Sequence, residues 1–310
     1  MNKLLLVLLL LPTLLNCTTN DDGETTSSSD DDQGTTECTG VTSTFSINLE
    51  ESTCTTNLST TSVYTEVTDA TSDIRTITFN GIPSHLVGTF PNAGNPNTIS
   101  EQGETYDVDL TPSIASTTRT SQGYEFGVLF SGVSMDPYTA EFFIGTNGMN
   151  MEWNITTLTS TVDLGLDCNN AHVQPTGKYH YHGTPTAYAS DLGIDGSEMV
   201  KVGYAADGFP IYYKYGYDDA GNDIIALESG YQLKEGARPG DGDTAPDGCY
   251  DGTYFQDYEY VSGISPLDEC NGRFGLTPDS SDEYYYVITD NFPSSPLCFS
   301  GTPSDDFSFF

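Results

Sequence analysis

Apolar and polar residues alternate along much of the chain in short runs, and glycine, proline, asparagine and threonine fill the gaps between them. The alternation is clearest in Phe45-Ser-Ile-Asn-Leu49, Ile74-Arg-Thr-Ile-Thr-Phe79 and Tyr106-Asp-Val-Asp-Leu110. Successive side chains of a strand point to opposite faces, so a period of two predicts half-buried β-strands. Gly123 to Phe130 and Ala140 to Ile144 are richer in large apolar residues and predict core strands flanking a loop at Met135-Asp136-Pro137. Glu283 to Thr289 predicts another strand. No amphipathic helix of a dozen residues can be drawn, and no internal repeat marks a propeller or solenoid. The expected fold is therefore mainly β: an antiparallel β-sandwich or related all-β architecture with long Gly/Pro/Asn-rich loops. It is expected as a single domain over residues 41–310, with 41–120 a candidate N-terminal subdomain.

Two hairpins can be placed within this pattern. Val202 to Tyr213 reads strand, turn at Asp207-Gly208, strand. The second lies in Asp167 to Gly183, D-C-N-N-A-H-V-Q-P-T-G-K-Y-H-Y-H-G, where proline presets a type I turn and glycine supplies the left-handed residue after it. A loop of Pro175-Thr176-Gly177 pairs Gln174 with Lys178, Val173 with Tyr179, and His172 with His180. Opposed Cβ atoms lie about 4.5–5.5 Å apart, and His182 shares the face of His180, so three imidazoles converge while Tyr179 and Tyr181 turn toward a core. The chain has only 4 histidines, and these are three of them. Neutral imidazole is a preferred ligand of zinc and copper, which makes His172, His180 and His182 a candidate metal site. A half-polar strand with solvated histidines is the plainer reading of the same alternation.

Composition sets the surroundings. Residues 1–17 carry Lys3, the apolar run Leu4 to Leu11 and then Leu14-Leu15-Asn16-Cys17, which reads as an export signal ending at a lipidation cysteine. The small residue usual before that cysteine is replaced by Asn16, and a plain secretory signal is the competing reading. Residues 18–40 contain few apolar side chains and read as a disordered Ser/Thr/Asp-rich tether. The expected location is the outer membrane or cell surface, with the membrane as a partner through the lipid anchor. A formal charge of −36 argues against nucleic acid, since 9 basic residues against 45 acidic ones offer nothing to replace phosphate counterions. Of 7 cysteines, Cys17 aside, six remain for disulfides in an oxidising compartment. Proximity suggests Cys38 with Cys54 and Cys270 with Cys298, and elimination leaves Cys168 with Cys249. Thiolate metal ligation is the rival use of Cys168.

Further candidates lie outside the hairpin. His85, in the turn-rich segment Asn80 to Asn97, is a candidate fourth ligand. Asp207 is the carboxylate most readily brought toward the histidines, as ligand, orienter of an imidazole or base. The alternating Asp241 to Gly248 loop suggests structural calcium, although Pro246 and Gly252 occupy the positions where a helix-loop-helix site needs glycine and glutamate. Arg273 is expected to pair with Asp268 or to hold an anionic substrate. Trp153 is expected to pack. The 20 tyrosines, with abundant Asp and Asn, also suit a surface glycan-binding module.

These blocks resemble the YHYH-domain proteins, named for the tetrapeptide that stands here as Tyr179-His180-Tyr181-His182. Asn169-Asn170-Ala171-His172, Gly177-Lys178, Tyr204 to Tyr212, Asp268-Glu269-Cys270-Asn271-Gly272-Arg273 and the Asn80 to Asn97 loop are similar to that family's other blocks. The resemblance covers about residues 75–300 and implies an exported protein whose blocks form one site, without assigning that site an activity. Asn170, Asp207, Glu269 and Arg273 are candidates for catalytic or supporting roles in it. The leading expectation is an exported, lipid-anchored protein that binds copper or zinc through the three histidines. The alternatives are a metal-dependent hydrolase or copper redox enzyme using the same site, with Asp207 or Glu269 as base in the hydrolase, and a glycan-binding module.

Overall fold

The computed structural model describes residues 38–310, so the expected signal, its Cys17 and most of the tether lie outside the described residues. No helix among the described residues is long and apolar enough to cross a membrane. The principal element is an eight-stranded sheet in the order Gly272–Gly275, Glu283–Ile288, Pro210–Tyr213, Lys201–Ala205, Gly127–Leu129, Val133–Met135, Tyr179–Tyr181, Ala171–Val173. The chain is mainly β, as the alternation predicts. The sheet is mixed rather than purely antiparallel, because Tyr179–Tyr181 runs parallel to Val133–Met135 and Pro210–Tyr213 runs parallel to Glu283–Ile288.

A second sheet of three antiparallel strands, Tyr64–Asp69, Ile74–Phe79 and Glu104–Asp109, matches two of the alternating runs. Its Ile77, Phe79 and Val108 are buried in the same cluster as Met135, Tyr179 and Tyr181 of the large sheet. The Asp207-Gly208 turn also forms as expected, with Gly208 at φ 87° and its N–H donating to Ala205 O. Two runs behave differently. Phe45 to Leu49 forms no strand beyond one bridge, since the Asn48 main chain is satisfied by the side-chain amide of Asn170 (2.7 and 2.8 Å) instead of a ladder. Ala140 to Ile144 is not core. Phe142–Gly145 pairs only with Gly148–Asn154 as an isolated ribbon, which leaves Ile144 72% exposed. Trp153 in that ribbon packs edge-on against Tyr254, as a packing residue should.

The disulfides are Cys38–Cys249, Cys54–Cys168 and Cys270–Cys298. Only the last matches the expectation from proximity. The N-terminal segment explains the other two, because it crosses the molecule as a strap: Thr44 N–H donates to Asp251 O and Phe45 bridges to Thr159. Cys38 is thereby carried to the Cys249 loop, and Cys54 to the base of the histidine hairpin. With Cys168 bonded to Cys54, its use as a metal thiolate is ruled out. A cross-link closing a loop of about 100 residues contributes roughly 4–5 kcal/mol on chain-entropy grounds, so Cys54–Cys168 is a strong constraint on the hairpin's base. Peptide mapping of the oxidised protein without reductant should recover Cys54 linked to Cys168 and Cys38 linked to Cys249. Recovery of a Cys38–Cys54 peptide would contradict this topology.

Candidate metal centre

The hairpin closes in the register that the sequence predicts. Gln174 N–H donates to Lys178 O (2.9 Å), Gly177 N–H donates to Gln174 O (2.8 Å), and Gly177 takes φ 89°. Across the strands Tyr179 opposes Val173, His180 opposes His172 and Tyr181 opposes Ala171. Tyr179 and Tyr181, both fully buried, anchor the inner face, and a ring of that size removes about 150–250 Å² from water. Tyr179 OH donates to Asp167 Oδ2 (2.8 Å), while Tyr181 OH bonds Ser131 Oγ (2.8 Å).

On the other face the three imidazoles form a near-equilateral triangle, with ring centroids 4.8, 4.7 and 4.6 Å apart and ring planes steeply inclined to one another. Their ligand atoms lie within 4.8 Å of one another, and among the described residues they are the one group of three side chains able to hold a metal ion. Hydrogen bonds fix which nitrogen is offered. His172 Nδ1 bonds Leu164 O (2.9 Å), and His180 Nδ1 reaches toward Lys178 O (3.4 Å). A carbonyl only accepts, so both Nδ1 atoms carry the proton and both Nε2 atoms present lone pairs. His182 Nδ1 bonds Thr157 Oγ1 (3.1 Å), and its Nε2 lies 3.1 Å from that of His172. Two nitrogens bound tetrahedrally at 2.0–2.1 Å are ~3.3 Å apart, so the His172–His182 pair is already at ligand spacing. Burial, reinforced by the neighbouring imidazoles, pushes His180 and His182 well below the ordinary histidine range. Burial lowers His172 as well. All three are neutral at pH 7, the form that ligates.

The support of this face was largely hidden in the sequence. Asn170, in the left-handed region at φ 51°, accepts the His182 N–H through its carbonyl (2.9 Å) and ties its amide to Asn48 and Thr184. Ser295 Oγ donates to His182 O (2.8 Å). Buried Lys178 is held by Glu104 (2.6 Å) and Glu125, which fastens the second hairpin strand to the three-stranded sheet. Of these, Asn170 and Lys178 stand in the sequence blocks already named, and only Asn170 was a functional candidate there. Thr157, Leu164, Ser295 and the Lys178 carboxylates come from distant segments with no signature of their own. A cavity of about 10 Å³ adjoins His182, and a groove of about 460 Å³ passes Thr157, Leu164 and Asn170.

The other sequence candidates fall elsewhere. His85 is on the opposite side of the strand: its Nδ1 donates to Leu86 O (2.8 Å) and its Nε2 accepts from Tyr181 OH (2.5 Å), so neither nitrogen is free to ligate. Asp207, at the tip of the hairpin formed by the third and fourth strands along the sheet from the histidine-bearing Tyr179–Tyr181, accepts from Tyr286 OH (2.5 Å) and Gly301 N–H (2.8 Å). Glu269 is exposed and accepts from Thr118 Oγ1 (3.1 Å). Arg273 pairs with Asp219 (2.7 Å) rather than Asp268, whose carboxylate is taken by Tyr284 OH and by the N–H groups of Cys270 and Gly272. The blocks expected to form one site thus lie at separate parts of the sheet. In the suggested calcium loop, Asp241 caps its own turn through Asp243, Thr244 and Ala245, which accounts for that carboxylate without an ion.

A model of the YHYH protein family matches residues 105–301, a span that contains all three clustered histidines and excludes His85. No curated protein and no solved structure matches the chain.

Burial lowers His85 to about 4. Its neutral form is favoured in the fold, so its contribution is fully present above the unfolded value near 6.5 and is lost as pH falls from there toward 4. A shift of that size corresponds to roughly 3 kcal/mol. Denaturant midpoints of His85→Gln should therefore fall less between pH 6.5 and 4 than those of the parent. Identical pH profiles would contradict the burial of His85 as a neutral acceptor.

Proposed function

The chain belongs to the YHYH protein family, and from that membership and the arrangement of its imidazoles we propose that it is an exported, lipid-anchored protein that binds copper or zinc through His172, His180 and His182. The observation that carries the reading is the convergence of three neutral imidazoles, in which His172 and His180 turn their protonated Nδ1 atoms toward carbonyls and the Nε2 atoms of His172 and His182 stand at ligand spacing. Unliganded, such an arrangement is costly. The desolvated Nε2 acceptors of His172 and His180 both face the cluster, and a proton shared between the Nε2 atoms of His182 and His172 (3.1 Å) offsets only part of that. A metal ion removes the cost.

Ligand type favours the imidazole-preferring metals, copper and zinc, over the oxygen-preferring calcium and magnesium. Bound there, zinc would supply Lewis-acid polarisation and copper one-electron chemistry. Metal binding is a better description than hydrolysis on the present geometry, because Asp207 and Glu269, the carboxylates suggested as bases, are committed elsewhere. The cavity beside His182 has room for about one water-sized molecule.

Elemental analysis of protein matured in an oxidising compartment should give one copper or zinc per chain. His180→Ala should lose that metal while His85→Gln keeps it. A parent that stays metal-free after reconstitution with both ions, or a His180→Ala variant that retains full stoichiometry, contradicts the proposal. The anchor is tested separately: Cys17→Ser should move the protein from the membrane to the soluble fraction, and an unchanged distribution removes the lipid from the account.

A further inference from the structure

At the edge of the large sheet opposite the histidine hairpin, the strand Gly272–Gly275 borders an open cleft of about 690 Å³, with the Ile114 to Thr118 segment as its other wall. That volume lies within the range of small-molecule sites. Phe274 stands on this strand 57% exposed, its ring meeting that of Tyr284 edge-on at 5.3 Å. An aromatic side chain more than half exposed in the middle of a strand still offers ring surface on which a ligand can stack.

The polar lining is already fixed in position. Tyr284 OH donates to Asp268 Oδ2 (2.8 Å) and bonds Ser300 Oγ (2.6 Å). Ser300 N–H in turn donates to Tyr286 OH (2.7 Å), which donates to the buried Asp207. Behind the cleft, then, runs a continuous chain of hydrogen bonds between two carboxylates. Asp207 is one end of it, which gives that residue a place in the molecule that the histidine site does not. Side chains held in this way lose little freedom when a ligand arrives.

Charge selects the ligand class. Asp268 and Glu269 line the cleft as acceptors, and its one cation, Arg273, is engaged by Asp219 (2.7 Å). Phosphates and carboxylates are therefore disfavoured. Asp268 accepts from Tyr284 OH at Oδ2 and from the N–H groups of Cys270 and Gly272 at Oδ1, which leaves one acceptor site on Oδ2, while Glu269 accepts only from Thr118 and keeps several. An aromatic face beside oriented acceptors of hydroxyl hydrogens matches a sugar ring, with apolar C–H groups on one side and hydroxyls at its rim.

We propose that this cleft binds a short neutral oligosaccharide, with Phe274 as the stacking platform and Asp268, Glu269 and Thr118 as partners of its hydroxyls. The site is independent of the histidine cluster, at the other edge of the same sheet.

The test uses the intact protein against a panel of neutral trisaccharides (maltotriose, cellotriose, xylotriose, laminaritriose and mannotriose) and the cationic glucosamine trimer, each by titration calorimetry. At least one neutral trisaccharide should bind, Phe274→Ala should weaken it about tenfold, and His180→Ala should leave it unchanged. Phe274 is exposed, so its replacement should preserve the unfolding midpoint and the metal content, which separates loss of binding from loss of fold. Failure of every neutral sugar to bind, binding of the glucosamine trimer alone, or equal affinity in Phe274→Ala each overturns the proposal.

Discussion

The candidate centre depends on the backbone of one residue. Gly177 sits at φ 89°, and a Cβ there would lie 2.0 Å from Ser100 Oγ. Only glycine closes this loop without moving the Ser100 segment, and the closure sets the register of everything after it. Strand side chains alternate, so a slip of one residue would turn His180 and His182 into the core and Tyr179 and Tyr181 out of it. The tyrosines oppose that slip through their buried rings, and the Lys178 ion pairs oppose it through charges that would lose their partners.

The two faces of the hairpin therefore act together. On one, Tyr179 and Tyr181 are locked by Asp167, Ser131 and His85, so the fourth histidine serves the site indirectly as the acceptor of a tyrosine proton. On the other, burial keeps the clustered imidazoles neutral, and carbonyls hold the Nδ1 protons of His172 and His180 outward. The Cys54–Cys168 bond and Asn170 close the base, joining the hairpin to the N-terminal strap.

The histidine triangle was legible in the sequence because it is a local feature. A Pro-Thr-Gly loop and a period of two are sufficient to derive it, and the same logic places the Asp207-Gly208 turn. Contacts between distant segments were not legible. Cys38 and Cys54 are close in sequence, yet the strap carries them to Cys249 and Cys168, and no local pattern encodes its path. Arg273 meets Asp219 instead of Asp268 because Asp268 is used by the N–H groups of its own turn. Asp207 is chemically suited to assist a metal, but the sheet order puts its hairpin well away from the histidine hairpin. Apolar richness also misplaced Ala140 to Ile144, since an apolar run reads the same in a core as in an exposed ribbon.

The central claim is that His172, His180 and His182 bind one ion together through Nε2. Anomalous diffraction from crystals of the metal-loaded protein, collected on both sides of the copper and zinc absorption edges, tests it most directly. Joint ligation by the three histidines gives one strong anomalous peak equidistant from the three Nε2 atoms at about 2.0–2.1 Å. A peak on carboxylates elsewhere, or a triangle of histidines joined only by hydrogen bonds after metal loading, would contradict it.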